Sequence, residues 1–226
     1  MTLDELYKRM IQIYCPEFID LSTSTQIEIE ENQNLGSDNF KKLKLNSHAS
    51  CIVIKDLLIK NSNNSYYGAN APKLNLECDK IIITEIEGKK YVLLFEIKSS
   101  FCSGLSNGIP QLRASCFKIQ SYLNCIDGFY IDDYIFHAIL ASWKPTSEQL
   151  TKIRKKEYIR ETLSEREELM KCVFVKDIVN SLIDSTRMEP FYKLPLKPTY
   201  LQELPISFFT TEYANTSAIM DIESVV

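Results

Sequence analysis

Two apolar runs separated by a glycine constrain the fold of this chain more than any other feature of its sequence. The runs cover residues 76–84 and 91–98, and both are rich in β-branched or aromatic side chains. Gly88 lies between them, which is typical of two strands joined by a tight turn. With Glu87 and Gly88 as a two-residue loop, the pairing of the two strands is determined position by position.

The predicted register brings charged side chains together at the far end of this hairpin. A two-residue loop pairs Ile86 with Lys89 at the turn. Continuing that register, Asp79 lies opposite Glu96, with the two Cβ atoms about 5 Å apart. Lys98 falls on the same face as Glu96, because side chains alternate along a strand.

Two carboxylates this close repel each other unless positive charge lies between them. A hard divalent cation with oxygen ligands would supply that charge, and Mg²⁺ is the usual one. The alternative interpretation is a solvated rim of charged residues at the end of a strand. The matching register of Asp79 with Glu96 and Lys98 favours the cation site.

The order Cys78-Asp79, sixteen intervening residues and then Glu96-Ile97-Lys98 has a known counterpart. It resembles the active-site signature of the PD-(D/E)xK nuclease superfamily, which includes restriction endonucleases, junction resolvases and exonucleases. Cys78 stands where that superfamily usually has a proline, at a position that does no chemistry. The resemblance covers about residues 50–145.

The resemblance implies a restriction endonuclease-like αβββαβ core, an α/β fold with a central mixed sheet flanked by helices. It also implies a metal-dependent nuclease that hydrolyses phosphodiester bonds, with DNA as the favoured substrate. Asp79 and Glu96 would hold Mg²⁺, or Mn²⁺ in its place, and the Ile97 carbonyl would be a third ligand. Lys98 would orient or deprotonate the attacking water.

Further site residues are carried over from the same resemblance. Gln111 lies on the helix that follows the second strand of the hairpin, where such nucleases often offer a catalytic Gln or Lys. A partly exposed polar stripe of the helix is an equally open interpretation of Gln111. The superfamily often adds a glutamate before the hairpin, and Glu28, Glu30 and Glu31 are the candidates, with no spacing rule to select one.

The pattern of the flanking segments agrees with this core. A capping box formed by Thr2 and Glu5 begins an amphipathic helix, and an apolar strand begins at Cys51. Residues 134–141 are apolar except for His137, as in a parallel strand buried on both faces. His137 in that strand is more consistent with a hydrogen-bonded core histidine than with a catalytic base. The expected buried face of the helix after Pro110 consists of Leu112, Cys116, Ile119 and Leu123.

The sequence pattern of the C-terminal third of the chain predicts additional helices. Residues 147–171 form a charged pattern typical of a long helix, and a second helix is expected at 177–185. We expect a single nuclease-like domain over residues 1–188, with its core at about 46–145. Residues 189–226 form an extension with several prolines that could be partly disordered.

Composition limits the possible partners. The net charge is −4 and the isoelectric point is near 5.4, which is unusual for a nucleic-acid-binding protein. The chain could therefore act as a homodimer or with a partner protein. A nucleic-acid-binding or assembly subunit of a larger defence, repair or transposition complex, without cleavage activity of its own, is the alternative function.

Other functional classes find no support in the sequence. The seven cysteines include no C-x-x-C pair, so zinc is not expected, and without secretory features they indicate a cytoplasmic protein. No apolar run approaches the length of a membrane span, so no membrane partner is expected. No phosphate-binding glycine motif is present, so no nucleotide cofactor is expected.

Overall fold

The computed structural model describes residues 1–23, 26–30, 40, 42–55, 76–100, 107–164, 167, 170–171, 204–212 and 215–224. Within these residues the chain forms three α-helices and nine strands. The helices are α1 (Leu3–Ile13), α2 (Ile109–Leu123) and α3 (Ser147–Tyr158). The strands are β1 (Ile19–Ser22), β2 (Gln26–Glu30), β3 (Lys42–Asn46), β4 (Cys51–Ile54), β5 (Lys80–Ile86), β6 (Lys89–Lys98), β7 (Tyr134–Trp143), β8 (Ile206–Thr211) and β9 (Ser217–Asp221).

The predicted hairpin is present as β5 and β6, in the expected register. Ile86 pairs with Lys89, and the ladder continues without a slip to Lys80 opposite Phe95. Glu87 and Gly88 have φ angles of 50° and 76°. Positive φ at both positions characterises the tight turn whose twist matches that of the strands it joins.

The central sheet has six strands in the order β1-β4-β5-β6-β7-β8. The pairs β1–β4, β4–β5 and β5–β6 are antiparallel, whereas the pairs β6–β7 and β7–β8 are parallel. Helix α2 connects β6 to β7, since parallel neighbours need a crossover connection. The expected central mixed sheet is confirmed, but the three described helices contribute to the core on one of its faces, and β1, β2 and β3 lie between α1 and β4, where the predicted αβββαβ order has no strands. The assignment to the restriction endonuclease-like fold stays a prediction.

Two layers cover the faces of this sheet. On one face, even-numbered β6 residues such as Leu94 pack in a cluster to which α1, α2 and α3 all contribute apolar side chains. The four predicted buried residues of α2 belong to that cluster. On the other face, Leu93 and Phe95 pack against a three-stranded sheet, β2-β3-β9. Residues 91–98 of β6 are therefore all buried, which explains their nearly continuous apolar run.

The charged C-terminal helix is shorter than predicted. It ends at Tyr158, because Arg160 adopts a left-handed φ of 57°, and residues 167, 170 and 171 are helical again after this interruption. The N–H of Arg160 donates to the Glu157 carbonyl, and that of Glu161 donates to the Lys156 carbonyl at 2.9 Å. These bonds cap the last carbonyls of the helix. Glycine is the usual residue at such a position. Because the sequence has arginine there, the end of the helix was not predicted.

The extension contributes β8 to the central sheet and β9 to the small sheet. The helix expected at 177–185 lies outside the described residues. None of the described helices combines the length and the apolar character that crossing a bilayer requires.

Replacing Gly88 by alanine should lower the free energy of unfolding by about 1 kcal/mol, because a Cβ is disfavoured at positive φ. A Cβ built at Gly88 has no atom within 4 Å, so the loss would come from the backbone alone. Gly88→Asn should lose less, since asparagine tolerates this conformation. Urea denaturation measures both variants, and an alanine variant as stable as the wild type would contradict the turn geometry.

Candidate active site

Glu96 and Lys98 lie at the carboxyl end of β6, on the face covered by the helices. Gly108, the residue before α2, packs closely against both side chains. A Cβ built at Gly108 would lie 3.1 Å from Cγ of Glu96 and 3.6 Å from Cγ of Lys98. The start of α2 therefore lies directly over these two side chains, and only a residue without a side chain permits this approach.

Glu96 and Lys98 form a buried ion pair. The Lys98 ammonium contacts Oε1 of Glu96. Glu96 is completely buried and the Lys98 side chain is 9% exposed. The interpretation as a solvated rim therefore does not describe these residues. Burying two charges costs several kcal/mol for each ion, so the local geometry must offset that cost.

Asp79 lies immediately before β5 and contacts the backbone of β6. It is 8% exposed and lies one residue before the first described pair of the β5–β6 ladder. Its N–H donates to the Phe95 carbonyl at 2.9 Å, and its Oδ2 accepts the N–H of Ile97 at 2.7 Å. The structure thus brings Asp79 beside the Glu96-Ile97-Lys98 segment, held by the backbone of Ile97.

Gln111 contacts the chain segment that leads to Asp79. Its Nε2 donates to the carbonyl of Glu77 at 2.8 Å. The amide is therefore engaged with the backbone two residues before the aspartate. This contact suits a residue that positions the segment, and the catalytic role stays a prediction.

Two residues on the same stripe of α2 were not assigned to the site by the sequence. Ser115 Oγ accepts the N–H of Cys78 at 2.7 Å. Lys118 donates to the Leu76 carbonyl at 3.1 Å and to Oε1 of Glu77 at 2.9 Å. The signal was their spacing from Gln111, four and seven residues further along one helical face.

Cys78 shows how this chain replaces the proline of the resembled signature. Burial raises the pKa of its thiol, so the sulfur stays protonated and is a poor nucleophile. The backbone N–H of Cys78, which binds Ser115, is a donor that proline lacks.

Two of the three upstream glutamate candidates, Glu28 and Glu30, do not reach this site. Glu28 and Glu30 lie on exposed positions of β2, where both contact Lys42. The buried residues of β2 pack against the opposite face of the central sheet. Glu31 lies outside the described residues. The acidic residue closest in the chain to Asp79 is Glu77, which was not among the candidates predicted from the sequence.

His137 also lies away from the site. Its Nε2 is 2.8 Å from Oγ of Ser207, and burial lowers its pKa. It alternates with Ala138 and Leu140, which belong to the helix-side cluster, so its side chain is on the other face. The expectation of a hydrogen-bonded histidine is confirmed.

The carboxylate oxygens of Asp79 and Glu96 are suited to a hard cation, although two side chains are a small ligand set. Among the residues that the structure describes, no group of three or more His, Cys, Asp or Glu side chains is arranged to hold a metal ion. Asp79 and Glu96 could supply two carboxylates, and the remaining ligands would be backbone oxygens or water. Such all-oxygen sets with several waters are typical of Mg²⁺.

No protein-family model matches this chain, and no curated protein and no solved structure is significantly similar to it.

Replacing Gly108 by alanine should lower the free energy of unfolding by about 1–3 kcal/mol, as overpacking of a core does. The new Cβ would lie 2.7 Å from Cδ1 of Leu140, which is fully buried. Alanine has the higher helix propensity, so a loss of stability would isolate the steric contact.

The matched control is Leu140→Val, alone and combined with Gly108→Ala. Because valine lacks the Cδ1 atom, the double variant should lose less than the sum of the two single losses. Urea denaturation of the four proteins measures this coupling. Additive losses would show that the two residues do not contact each other.

Proposed function

We propose that this protein is a Mg²⁺-dependent nuclease that hydrolyses phosphodiester bonds, with DNA as the favoured substrate. The observation that carries the proposal is the position of Asp79, whose carboxylate is hydrogen-bonded to the backbone of Ile97, beside the buried Glu96–Lys98 pair. The Asp79 carboxylate accepts a hydrogen bond from the N–H of Ile97 at 2.7 Å. Ile97 is the residue between Glu96 and Lys98 in the sequence. Among the described residues, the order β4, β5, β6, α2 and β7 around this site gives further support, and β1, β2 and β3 lie between α1 and β4.

The carboxylates of Asp79 and Glu96 would hold the cation, with the Ile97 carbonyl as a further ligand. A bound Mg²⁺ supplies Lewis-acid polarisation of a phosphoryl oxygen and lowers the pKa of a coordinated water. The Ile97 N–H orients the Asp79 carboxylate before a cation arrives. Preorganisation of this kind reduces the cost of arranging the ligands.

Lys98 would supply positive charge where the reaction develops negative charge. Its ammonium is already held beside Glu96, in surroundings that largely exclude water. Electrostatic interactions are stronger at such a position than in bulk water. Lys98 is therefore suited to orienting the attacking water and to stabilising the charge that develops on the phosphate oxygens.

Asp79→Ala, Glu96→Ala and Lys98→Ala should each lower metal-dependent cleavage at least about a hundredfold, because each removes a group that acts on the transition state. The assay incubates the protein with circular and linear, single- and double-stranded DNA and RNA, with Mg²⁺ and with a chelator.

Glu85→Ala and Lys90→Ala are the matched controls, since this oppositely charged pair lies at the other end of the same hairpin. Both should cleave like the wild type. Undiminished cleavage by any of the three site variants would refute the assignment.

The second candidate function is a nucleic-acid-binding or assembly subunit that does not cleave. The ion pair of Glu96 with Lys98 favours it, and so does the finding that no three His, Cys, Asp or Glu side chains of the described residues are grouped to hold a metal ion. The negative net charge points in the same direction.

Thermal melting with increasing Mg²⁺ or Mn²⁺ separates the two functions. A metal-binding nuclease should be stabilised by about 2.7 kcal/mol when the free metal reaches 100 times Kd. Glu96→Ala should abolish this stabilisation, whereas Glu85→Ala should keep it. A wild-type melting temperature that does not change at millimolar metal would favour the non-cleaving subunit.

A further inference from the structure

Helix α2 holds the segment immediately before Asp79 at three consecutive residues. Gln111 donates to the carbonyl of Glu77, and Ser115 accepts from the N–H of Cys78. Lys118 binds both the carbonyl of residue 76 and the carboxylate of Glu77. One stripe of the helix thus engages residues 76–78, and we name this set of contacts the α2 clamp.

Ser115 and the Lys118–Glu77 pair of the α2 clamp are buried and Gln111 is half-buried, which distinguishes the clamp from an ordinary polar helix face. Ser115 is fully buried, and the side chains of Lys118 and Glu77 are only 7% and 9% exposed. A buried ion pair gains little stability over apolar residues of the same size, so its best-supported use is to specify one geometry. The geometry specified here is that of the chain entering β5.

Asp79 is the residue whose position depends on this geometry. It precedes the described β5–β6 ladder, so the regular strand pairing does not extend to it. From Cys78 onward the contacts follow each other along the chain. The Cys78 N–H binds α2, the Asp79 N–H binds the Phe95 carbonyl, and the Asp79 carboxylate binds the Ile97 N–H.

We propose that Ser115 and Lys118, together with Gln111, are positioning residues that hold the Asp79 carboxylate against Ile97. Loss of the α2 clamp would allow the segment before β5 to move and would release that carboxylate. The consequence for metal binding rests on the proposed function of Asp79, whereas the positioning itself does not.

The test measures hydrogen exchange of the Ile97 amide by NMR in the full-length protein. Ser115→Ala should accelerate this exchange about tenfold relative to the amide of Leu93 in the same strand, as expected for loss of one buried hydrogen bond. The ratio to Leu93 removes any change in global stability, which affects both amides.

The matched control is Ser121→Ala, on the same helix. Ser121 is exposed, and among the described residues its hydroxyl binds the Phe117 carbonyl of its own helix, so the exchange ratio should not change. A second variant combines Lys118→Met with Glu77→Gln, which removes the ion pair without leaving one buried charge, and it should also raise the ratio. An unchanged ratio in Ser115→Ala would overturn the proposal.

Mg²⁺ affinity of the same folded variants separates this inference from the proposed function. A positioning role for the metal site predicts an affinity at least about fivefold weaker in Ser115→Ala and unchanged in Ser121→Ala. An accelerated Ile97 exchange with wild-type Mg²⁺ affinity would overturn that role. An accelerated exchange in a protein whose wild type binds no Mg²⁺ would support the clamp and refute the proposed function.

Discussion

The burial of β6 on both faces is the constraint on which the rest of this structure depends. Residues 91–98 are covered by the helices on one side and by the small sheet on the other. A strand in this position can be apolar along nearly its whole length, and β6 is. Its last residues include Glu96 and Lys98, so this strand, covered on both faces, also carries two charges into the interior.

The buried charges of Glu96 and Lys98 account for several polar contacts around them. A buried carboxylate and a buried ammonium are tolerated when they contact each other and when neighbouring polar groups complete the arrangement. Lys98 contacts Glu96, Gly108 lets α2 approach both, and Asp79 contributes a carboxylate held by a backbone N–H. A second buried pair, Glu77 with Lys118, joins α2 to the segment that enters β5. An apolar core of the same size would be simpler to stabilise, which makes a chemical use of this region the natural interpretation.

Structure that depends on neighbouring residues in the sequence was predicted well, whereas contacts between distant segments were not. The hairpin register followed from one glycine and two apolar runs, and a parallel β7 followed from its continuous apolar pattern. Glu28 and Glu30 were poor candidates because their strand belongs to a different sheet. The end of α3 was missed because Arg160 occupies a left-handed position that sequence patterns associate with glycine.

The sequence by itself determined which groups can meet along one hairpin, because side-chain alternation and the length of the turn set the register. Asp79, Glu96 and Lys98 were therefore visible as candidates without any structure. Only the tertiary structure decided that these charges are buried and that Ser115 and Lys118 hold the segment before Asp79. Those contacts join residues 37 and 42 positions apart, and they depend on how α2 packs across the sheet, which no local pattern specifies.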